Sequence, residues 1–168
     1  MAKRQRQAPH IAKGTDFTVA QNRRARYDYE FLSYTEAGLV LLGSEIKSIR
    51  SGHANITEGY ARLRGGEAWL ENVHIAPYPP ARENHEPTRP RKLLLHKDEI
   101  RRLERTLGEN PRTTVVPLRL YLKAGRAKVE LGVGRGRRSY DKRQAIARRD
   151  AARSIQRALR HSLREPPR

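Results

Sequence analysis

The chain has 168 residues, which fits one domain with extended tails, and 36 lysine and arginine residues against 18 acidic ones give a formal net charge of +18. This imbalance favours a polyanionic partner, nucleic acid first among them, over a basic surface that serves only solubility. With no cysteine and no long apolar run, the sequence excludes disulfides, thiolate catalysis and a membrane-spanning helix.

The amino-terminal arm, residues 1–16, is polar and basic and shows no apolar periodicity. We expect this arm to be mobile until it binds a partner. Because it also lacks the apolar stretch of a signal peptide, we expect a cytoplasmic protein.

Two short strands and a helix are predicted next. Tyr27, Tyr29 and Phe31 alternate with polar residues, which is the pattern of a half-buried strand, and residues 39–42 form a short apolar run. Residues 44–50 have two isoleucines at helical spacing and are followed by a Ser-Gly pair, which predicts a helix that ends there.

A hairpin, a proline-rich loop and a second helix follow. Residues 60–64 and 67–73 flank two glycines, which predicts a β-hairpin. Residues 77–90 are rich in proline and cannot form a central strand, since proline donates no ladder hydrogen bond. Residues 96–107 have aliphatic side chains at helical spacing, and we expect Gly108 to end this helix.

The last core segment is predicted to be a second hairpin. Residues 118–123 alternate leucine with arginine, tyrosine and lysine, and an Ala-Gly turn leads to the valines and leucine of residues 129–133. Several short antiparallel strands with helices between them predict a mainly β fold with peripheral helices. The best match is an OB-type antiparallel β-barrel, which presents strands and loops to nucleic acid.

Three regions follow from these patterns: the basic arm over residues 1–16, an OB-type RNA-binding barrel over residues 17–133 and a basic tail over residues 134–168. The tail carries about half of the net charge, and its low apolar content and charge repulsion predict that it is disordered when free. Its twelve cations, opposed only by Asp141, Asp150 and Glu165, are Arg135, Arg137, Arg138, Lys142, Arg143, Arg148, Arg149, Arg153, Arg157, Arg160, Arg164 and Arg168.

No group of residues predicts a catalytic or metal site. The six histidines lie far apart and form no zinc-binding pair. Residues 134–138 are rich in glycine and arginine but lack the lysine and threonine of a phosphate-binding loop, and we interpret them as a flexible, cationic hinge. We therefore expect a protein that is not an enzyme and that needs no cofactor or metal.

Two basic motifs predict contacts with RNA. Residues 89–96 place three cations beside three leucines, so that the charges stand on a folded base and can neutralise phosphates. Residues 22–27 interleave cations, an amide and an aromatic ring. The alternative for residues 89–96 is a solvated loop that leads into a helix.

Glu45 is a carboxylate in an otherwise basic segment. One interpretation is that it complements the dipole of the helix over residues 44–50. Another is that it accepts hydrogen bonds from amino or imino groups of RNA bases. Chemistry alone favours the first interpretation.

The order and spacing of eight motifs resemble those of the SmpB family over about residues 11–160. The motifs are NRRARYDY at residues 22–29, EAGLVLLGSEIKSIRSG at 36–52, ANITEGY at 54–60, GEAW at 66–69, HIAPY at 74–78, RPRKLLLHK at 89–97, LYLK at 120–123 and GRGRRSYDKR at 134–143. One departure is Tyr140, which stands where some members have histidine. Both side chains are planar and can stack, so we expect the role to be kept.

The resemblance implies an OB-type barrel that binds the tRNA-like domain of tmRNA near its elbow. It also implies delivery of tmRNA to the A site of stalled ribosomes, where the tail occupies the decoding centre and the vacant mRNA channel and so enables trans-translation. Alanyl-tmRNA with elongation factor Tu is a further implied partner, with direct contact to the factor left open. We expect a monomer when free and no membrane partner.

The predicted site residues form two sets. Those carried over by position as tmRNA contacts are Asn22, Glu45, Lys47, Asn55, Lys92, Leu94 and His96, and the neighbouring cations Arg24, Arg26, Arg50, Arg91 and Lys123 are added to them. The resemblance implies ribosome contacts at Gly136, Tyr140, Asp141, Lys142 and Arg143, to which Arg137, Arg138 and Ile155 of the tail are added. On this basis Glu45 is expected to contact RNA.

The tail also has a helical pattern. Ile155, Leu159 and Leu163 are four residues apart, so we expect the tail to become helical once ribosomal RNA neutralises its cations. Two alternatives remain for the whole chain. One is a general ribosomal or structured-RNA-binding protein, and the other is an RNA-modifying enzyme, which would need a cofactor pocket.

Overall fold

Over residues 17–137, the part of the chain that the computed structural model describes, nine strands and three helices follow one another. Residues 1–16 and 138–168 lie outside the described residues, and with them the predicted positions Arg138, Tyr140, Asp141, Lys142, Arg143 and Ile155. The elements are β1 (Phe17–Gln21), α1 (Ala25–Asp28), β2 (Tyr29–Leu39), α2 (Gly43–Arg50), β3 (Ala54–Asn55), β4 (Tyr60–Arg64), β5 (Glu67–Glu71), β6 (His74–Ile75), β7 (Arg91–Leu94), α3 (Lys97–Glu109), β8 (Thr113–Lys123) and β9 (Arg126–Gly136).

Six of the described strands close into an antiparallel barrel. Each hydrogen-bonds to the next in the order β8–β4–β5–β7–β2–β9, and β9 pairs with β8 to complete the ring. The seam between β4 and β8 is short, with Ala61 opposite Val115, and β1 pairs with the other end of β8, where Phe17 lies opposite Leu122. The prediction of a mainly β, OB-type antiparallel barrel with peripheral helices is confirmed.

Aliphatic side chains at alternate strand positions fill the barrel. On β9, Val129, Leu131 and Val133 are fully buried, while Glu130 between them is partly exposed. Full burial of one such side chain contributes about 1.5–3 kcal/mol. Helix α3 adds Leu103 to the same core, as the helical spacing of its aliphatic residues predicts.

Both predicted hairpins are confirmed. The β4–β5 turn has Gly65 at φ 60° and Gly66 at φ 70°, and the β8–β9 turn has Ala124 at φ 48° and Gly125 at φ 77°. Two successive left-handed residues give the turn a twist that matches the twist of the paired strands. The two turns therefore fix the register of both hairpins.

The start of the barrel differs from the prediction. Tyr27 was expected in a strand but lies in α1, because the side-chain oxygen of Asn22 accepts the N–H of Ala25 at 3.0 Å and begins a helical turn. The predicted strand over residues 39–42 is also wrong beyond its first residue. Strand β2 ends at Leu39, and the residues after it lead into α2.

Two glycine-based predictions are wrong as well. Gly108 does not end α3, since the helix runs to Glu109 and Asn110 closes it with an N–H bond to the carbonyl of Thr106 at 3.2 Å. Gly134 belongs to β9 and not to a hinge: it lies opposite Phe31, and a Cβ there would be 2.9 Å from the Phe31 ring. Glycine is needed at this position for close packing of two strands.

Within residues 17–137, no helix has the length and apolar character needed to cross a membrane.

Candidate nucleic-acid interface

Helix α2 is held on the barrel by a buried carboxylate. The side chain of Glu45 has no exposed surface, and its Oε2 accepts the N–H of Leu42 at 2.7 Å. Arg89 donates to both carboxylate oxygens, from Nε at 2.9 Å and from Nη2 at 2.5 Å. Arg91 donates from Nε at 2.9 Å. The three hydrogen bonds from Arg89 and Arg91 join the start of α2 to the segment that leads into β7, and the bond from Leu42 lies within the start of α2.

The guanidinium of Arg91 is the second fully buried charge of this network. Besides its bond to Glu45, it donates to the backbone carbonyl of Val73 and, at 2.8 Å, to that of Pro87. Buried ion pairs are tolerated when additional hydrogen bonds satisfy both partners, as they do here. The pair ties α2, the residues after β5 and the loop before β7 into one rigid unit.

This burial contradicts the prediction that Glu45 and Arg91 contact RNA, because neither side chain reaches the surface. It also explains the acidic residue in a basic segment. Glu45 compensates Arg89 and Arg91, so both earlier interpretations of Glu45 miss its main contacts. The hydrogen bond from the Leu42 N–H, at the start of α2, agrees in part with the first interpretation, in which Glu45 complements the helix dipole.

The same contacts give the stability a pH dependence. Burial alone raises the pKa of Glu45, but hydrogen bonds from Arg89, Leu42 and Arg91 outweigh it, so the pKa lies below its ordinary value of 4.5. A lowered folded-state pKa means that ionised Glu45 stabilises the fold above its unfolded-state pKa, and that this contribution is lost as the pH falls through the folded-state pKa.

We therefore expect the stability advantage of the wild-type chain over the Glu45→Gln variant to shrink as the pH falls from about 6 to about 3. Urea unfolding at each pH, followed through the fluorescence of the single tryptophan, Trp69, measures this difference. A stability difference that stays constant over the whole pH range would show that the charge of Glu45 does not contribute to the free energy of unfolding.

Further polar contacts fix the inner side of α2. The hydroxyl of Ser48 donates to the carbonyl of Ala76 at 2.5 Å. The buried His85 lies between Nδ1···Oγ of Ser44 at 2.9 Å and Nε2···O of Ile75 at 3.0 Å. These contacts suit a ring that donates from Nε2 and accepts from the Ser44 hydroxyl. The helix is therefore rigidly oriented, with a defined outer side.

The outer side of α2 carries cations that adjoin the β8–β9 turn. Lys47 and Arg50 are exposed, and the Arg50 guanidinium donates to the carbonyl of Gly125 in that turn at 3.3 Å. Lys123 and Arg126 face each other across the hairpin beside the turn and are also exposed. Two elements distant in sequence thus bring four cations to one region of the surface.

A second group of predicted contacts surrounds Thr57. The amide nitrogen of Asn22 donates to the carbonyl of Thr57 at 3.2 Å, and the side-chain oxygen of Asn55 accepts the Thr57 N–H at 2.9 Å. Asn55, Arg24 and Arg26 are exposed, whereas Asn22 is only 6% exposed. Asn22 therefore positions α1 and its cations, and its direct contact with RNA stays a prediction.

The third group lies on the outer side of β7. Leu94 is 55% exposed, and together with His96 and Lys128 it lines a groove of about 440 Å³. Lys92 is paired with Glu67, so its charge is largely neutralised in the free chain. This group offers an apolar contact and an imidazole beside the cations of the hairpin.

These groups form what we call the basic face. Two of the groups adjoin, because Arg50 donates to the carbonyl of Gly125 in the β8–β9 turn, and β9 runs from that turn to Lys128. Within residues 17–137, Arg26, Lys47, Arg50 and Lys123 form no ion pair with an acid, whereas Arg24 pairs with Asp28 and Lys128 with Glu36. The residues of the basic face, all exposed except the partly buried Lys128, are Arg24, Arg26, Lys47, Arg50, Asn55, Leu94, His96, Lys123, Arg126 and Lys128.

Lys128 and Arg126 were not among the predicted site residues. The predicted second hairpin contained the signal for Arg126, since an Ala-Gly turn places it opposite Lys123.

Of the predicted ribosome contacts, Gly136 ends β9 opposite Tyr29, and Arg137 follows it. Among the described residues, no three or more side chains of the kinds that bind metals lie together.

Comparisons with known proteins agree with this architecture. The SsrA-binding protein of Roseiflexus castenholzii is 56% identical over 153 residues, covering 90% of this chain and 96% of the relative. The SsrA-binding protein of Enterococcus faecalis is 50% identical over 157 residues, covering 92% of this chain and 100% of the relative. A solved chain described under "tmRNA-SmpB: a journey to the center of the bacterial ribosome" is 47% identical, with a TM-score of 0.61, and the match covers 75% of this chain and 92% of that one. Because the family described as SmpB protein also matches residues 19–161, the chain belongs to the SmpB family.

Proposed function

We propose that the chain binds the tRNA-like domain of tmRNA through the basic face and delivers it to the A site of stalled ribosomes, enabling trans-translation. The observation that carries this proposal is the group Arg26, Lys47, Arg50 and Lys123, exposed cations without an acidic partner in residues 17–137. The curated relatives are named SsrA-binding proteins, and the similar solved chain is described with tmRNA and the bacterial ribosome.

The basic face suits a folded RNA. Unpaired cations neutralise phosphates and release counterions, which supplies affinity without reading sequence. Leu94 and His96 add an apolar and an imidazole contact, which favour a defined part of the RNA surface. The buried network around Glu45 keeps the cations of α2 in place before RNA arrives, so little ordering free energy is lost on binding.

The tail has a separate role in this proposal. We assign Gly136, Arg137, Arg138, Tyr140, Asp141, Lys142, Arg143 and Ile155 to contacts with the ribosome, at the decoding centre and in the vacant mRNA channel. The tail becomes helical there as ribosomal RNA neutralises its charges. The chain acts in the cytoplasm as a monomer before it binds, without catalysis, and its RNA partner is alanyl-tmRNA carried with elongation factor Tu.

The test of the basic face removes three of its unpaired cations together, in the variant Lys47→Ala/Arg50→Ala/Lys123→Ala. We expect the affinity for tmRNA to fall on the order of tenfold or more at physiological salt. The slope of log K against log salt should decrease in magnitude by about 2–3, because each lost phosphate contact removes about 0.7–0.9. Filter binding over a salt series measures both quantities.

The control variant is Arg62→Ala/Arg64→Ala/Arg101→Ala, which removes the same charge. These three cations are exposed, and each already has an acidic partner: Glu71 for the first two and Asp98 for the third. We expect this variant to bind tmRNA within about threefold of the wild-type chain. Equal losses in both variants would mean that net charge, not the basic face, carries the affinity.

A general structured-RNA-binding protein is the second candidate, favoured by the predominance of phosphate-binding groups on the basic face. Competition between tmRNA and an unrelated folded RNA of equal length separates the two functions. Our proposal expects a preference for tmRNA on the order of a thousandfold, the lower end of the range by which specific nucleic-acid binding exceeds non-specific binding. Equal competition would favour the second candidate.

A further inference from the structure

Strand β2 carries three aromatic side chains on the outside of the barrel. The ring centroids of Tyr29 and Phe31 are 6.3 Å apart, and those of Phe31 and Tyr34 are 5.7 Å apart. Tyr29 and Phe31 pack against a small buried group with Val116, while Tyr34 at the end of the row is 61% exposed. An exposed ring supported by a fixed neighbour is a suitable surface for stacking.

The support beneath this row is the backbone of β9. Phe31 lies over Gly132 and Gly134, where a Cβ would be 2.6 Å and 2.9 Å from its ring. A bulge between Phe31 and Ser33 in the β2–β9 pairing accompanies this close approach. Glycine at both positions lets the Phe31 ring lie against β9. The neighbouring Tyr34 ring is therefore supported by the strands of the barrel and not by a loop.

Tyr34 also forms one wall of a groove between β2 and α3. The groove has a volume of about 300 Å³, and Arg102 and Thr106 of α3 line its other side. Arg102 is exposed and forms no ion pair within residues 17–137. The groove thus combines an exposed ring and an unpaired guanidinium, which are groups that bind a nucleotide's base and its phosphate.

Two carboxylates also line this groove, and each accepts a hydrogen bond from a residue outside it. Glu36 accepts the hydroxyl of Tyr121 and the ammonium of Lys128, and the hydrogen bond from Lys128 is the largest cause that lowers the pKa of Glu36. Glu99 accepts the N–H of His96 at 2.7 Å. The charge of Glu36 is therefore offset by Lys128, and Glu99 lies in the first turn of α3, where the helix dipole favours a carboxylate.

The groove is continuous with the basic face. Glu36 and Glu99 also line the neighbouring groove that contains Leu94, His96 and Lys128. An RNA strand that leaves Leu94 along this surface would therefore meet Tyr34 next. This continuity, together with the unpaired Arg102, favours RNA over a protein segment as the occupant.

We propose that the β2–α3 groove binds one unpaired RNA nucleotide, with its base stacked on Tyr34 and its phosphate at Arg102. This inference rests on the proposed function in taking RNA as the partner of the adjoining basic face. The nucleotide belongs either to tmRNA or to ribosomal RNA, and both sources present the same chemistry. The groove accepts any base, because stacking on an aromatic ring does not discriminate strongly among them.

The test compares Tyr34→Ala with Tyr34→Trp and Leu32→Ala in the full-length chain. Leu32 is the matched control, since it lies on the same strand, is 50% exposed and does not line the groove. Binding to tmRNA alone and to stalled ribosomes loaded with tmRNA is measured for each variant. Losing one stacked base should weaken the affected complex about tenfold in Tyr34→Ala, with Tyr34→Trp within about twofold of the wild-type chain.

The two measurements identify the source of the nucleotide. A loss with tmRNA alone assigns it to tmRNA, and a loss confined to the ribosomal complex assigns it to ribosomal RNA. Ultraviolet crosslinking should in either case join RNA to the peptide that contains Tyr34. No loss in either complex, an equal loss in Leu32→Ala at unchanged melting temperature, or a crosslink to protein instead of RNA would overturn the inference. The variant Lys47→Ala/Arg50→Ala/Lys123→Ala separates failure of this inference from failure of the proposed function. If the proposed function holds, that variant weakens tmRNA binding whether or not Tyr34 contributes.

Discussion

Replacing Glu45 with alanine is expected to lower the free energy of unfolding by about 3–5 kcal/mol. The change leaves Arg91 fully buried without its anionic partner, and it removes the acceptor that joins α2 to Arg89. Arg89 reaches solvent, so the larger part of the loss comes from Arg91. Urea unfolding at pH 7, followed through Trp69 fluorescence, measures the change.

The matched control is the double variant Glu45→Met/Arg91→Met, which removes both buried charges. Replacing a buried ion pair by apolar residues of similar size is often neutral or stabilising, so this variant should recover most of the lost stability. Recovery in the double variant would identify the unpaired charge as the cause. A Glu45→Ala variant with wild-type stability and weaker tmRNA binding would instead restore Glu45 as a direct contact.

The strands and turns of the barrel were largely predictable because they depend on local sequence. Two glycines between residues 60–64 and 67–71, and an Ala-Gly pair before residues 126–136, specify hairpin turns without reference to the rest of the chain. The errors at Tyr27 and Gly108 come from local contacts at helix ends, whereas the error at Gly134 occurs where a distant residue decides the local structure. Gly134 was interpreted as a hinge because nothing near it in the sequence indicates that Phe31 packs on its backbone.

In the candidate site, too, some features depend on local sequence and others on distant residues. The basic motifs correctly located Lys47, Arg50 and Lys123 on the surface, since hairpin and helix periodicity indicate which side chains point outward. Sequence could not indicate that Arg91 is buried while its neighbour Lys92 is not, because that depends on Glu45, 46 residues earlier in the chain. Whether a cation is available to RNA is decided by its ion-pair partner, and such partners are rarely local.

Removing the tail after Arg137 is expected to leave tmRNA affinity within about tenfold, or 1.4 kcal/mol, and to abolish tagging of peptides on stalled ribosomes. The cut lies beyond β9, which ends at Gly136 opposite Tyr29, so the barrel keeps its full β2–β9 ladder. A cut after Val133 would remove Gly134 from beneath Phe31 and destabilise the barrel itself. Binding assays and tagging on a message without a stop codon measure the two effects, and a truncated chain that still tags would contradict the separate role of the tail.

The pair Ile155→Pro and Ile155→Ala tests in the full-length chain whether the tail acts through shape or only through charge. Neither change alters the charge, but proline in a helix interior costs about 3 kcal/mol relative to alanine. If the tail must form a helix in the mRNA channel, tagging falls sharply in the proline variant and stays near wild type in the alanine variant, with tmRNA binding unchanged in both. Equal activity of the two variants would rule out the helix. An equal loss in both would assign Ile155 a side-chain contact that alanine cannot make.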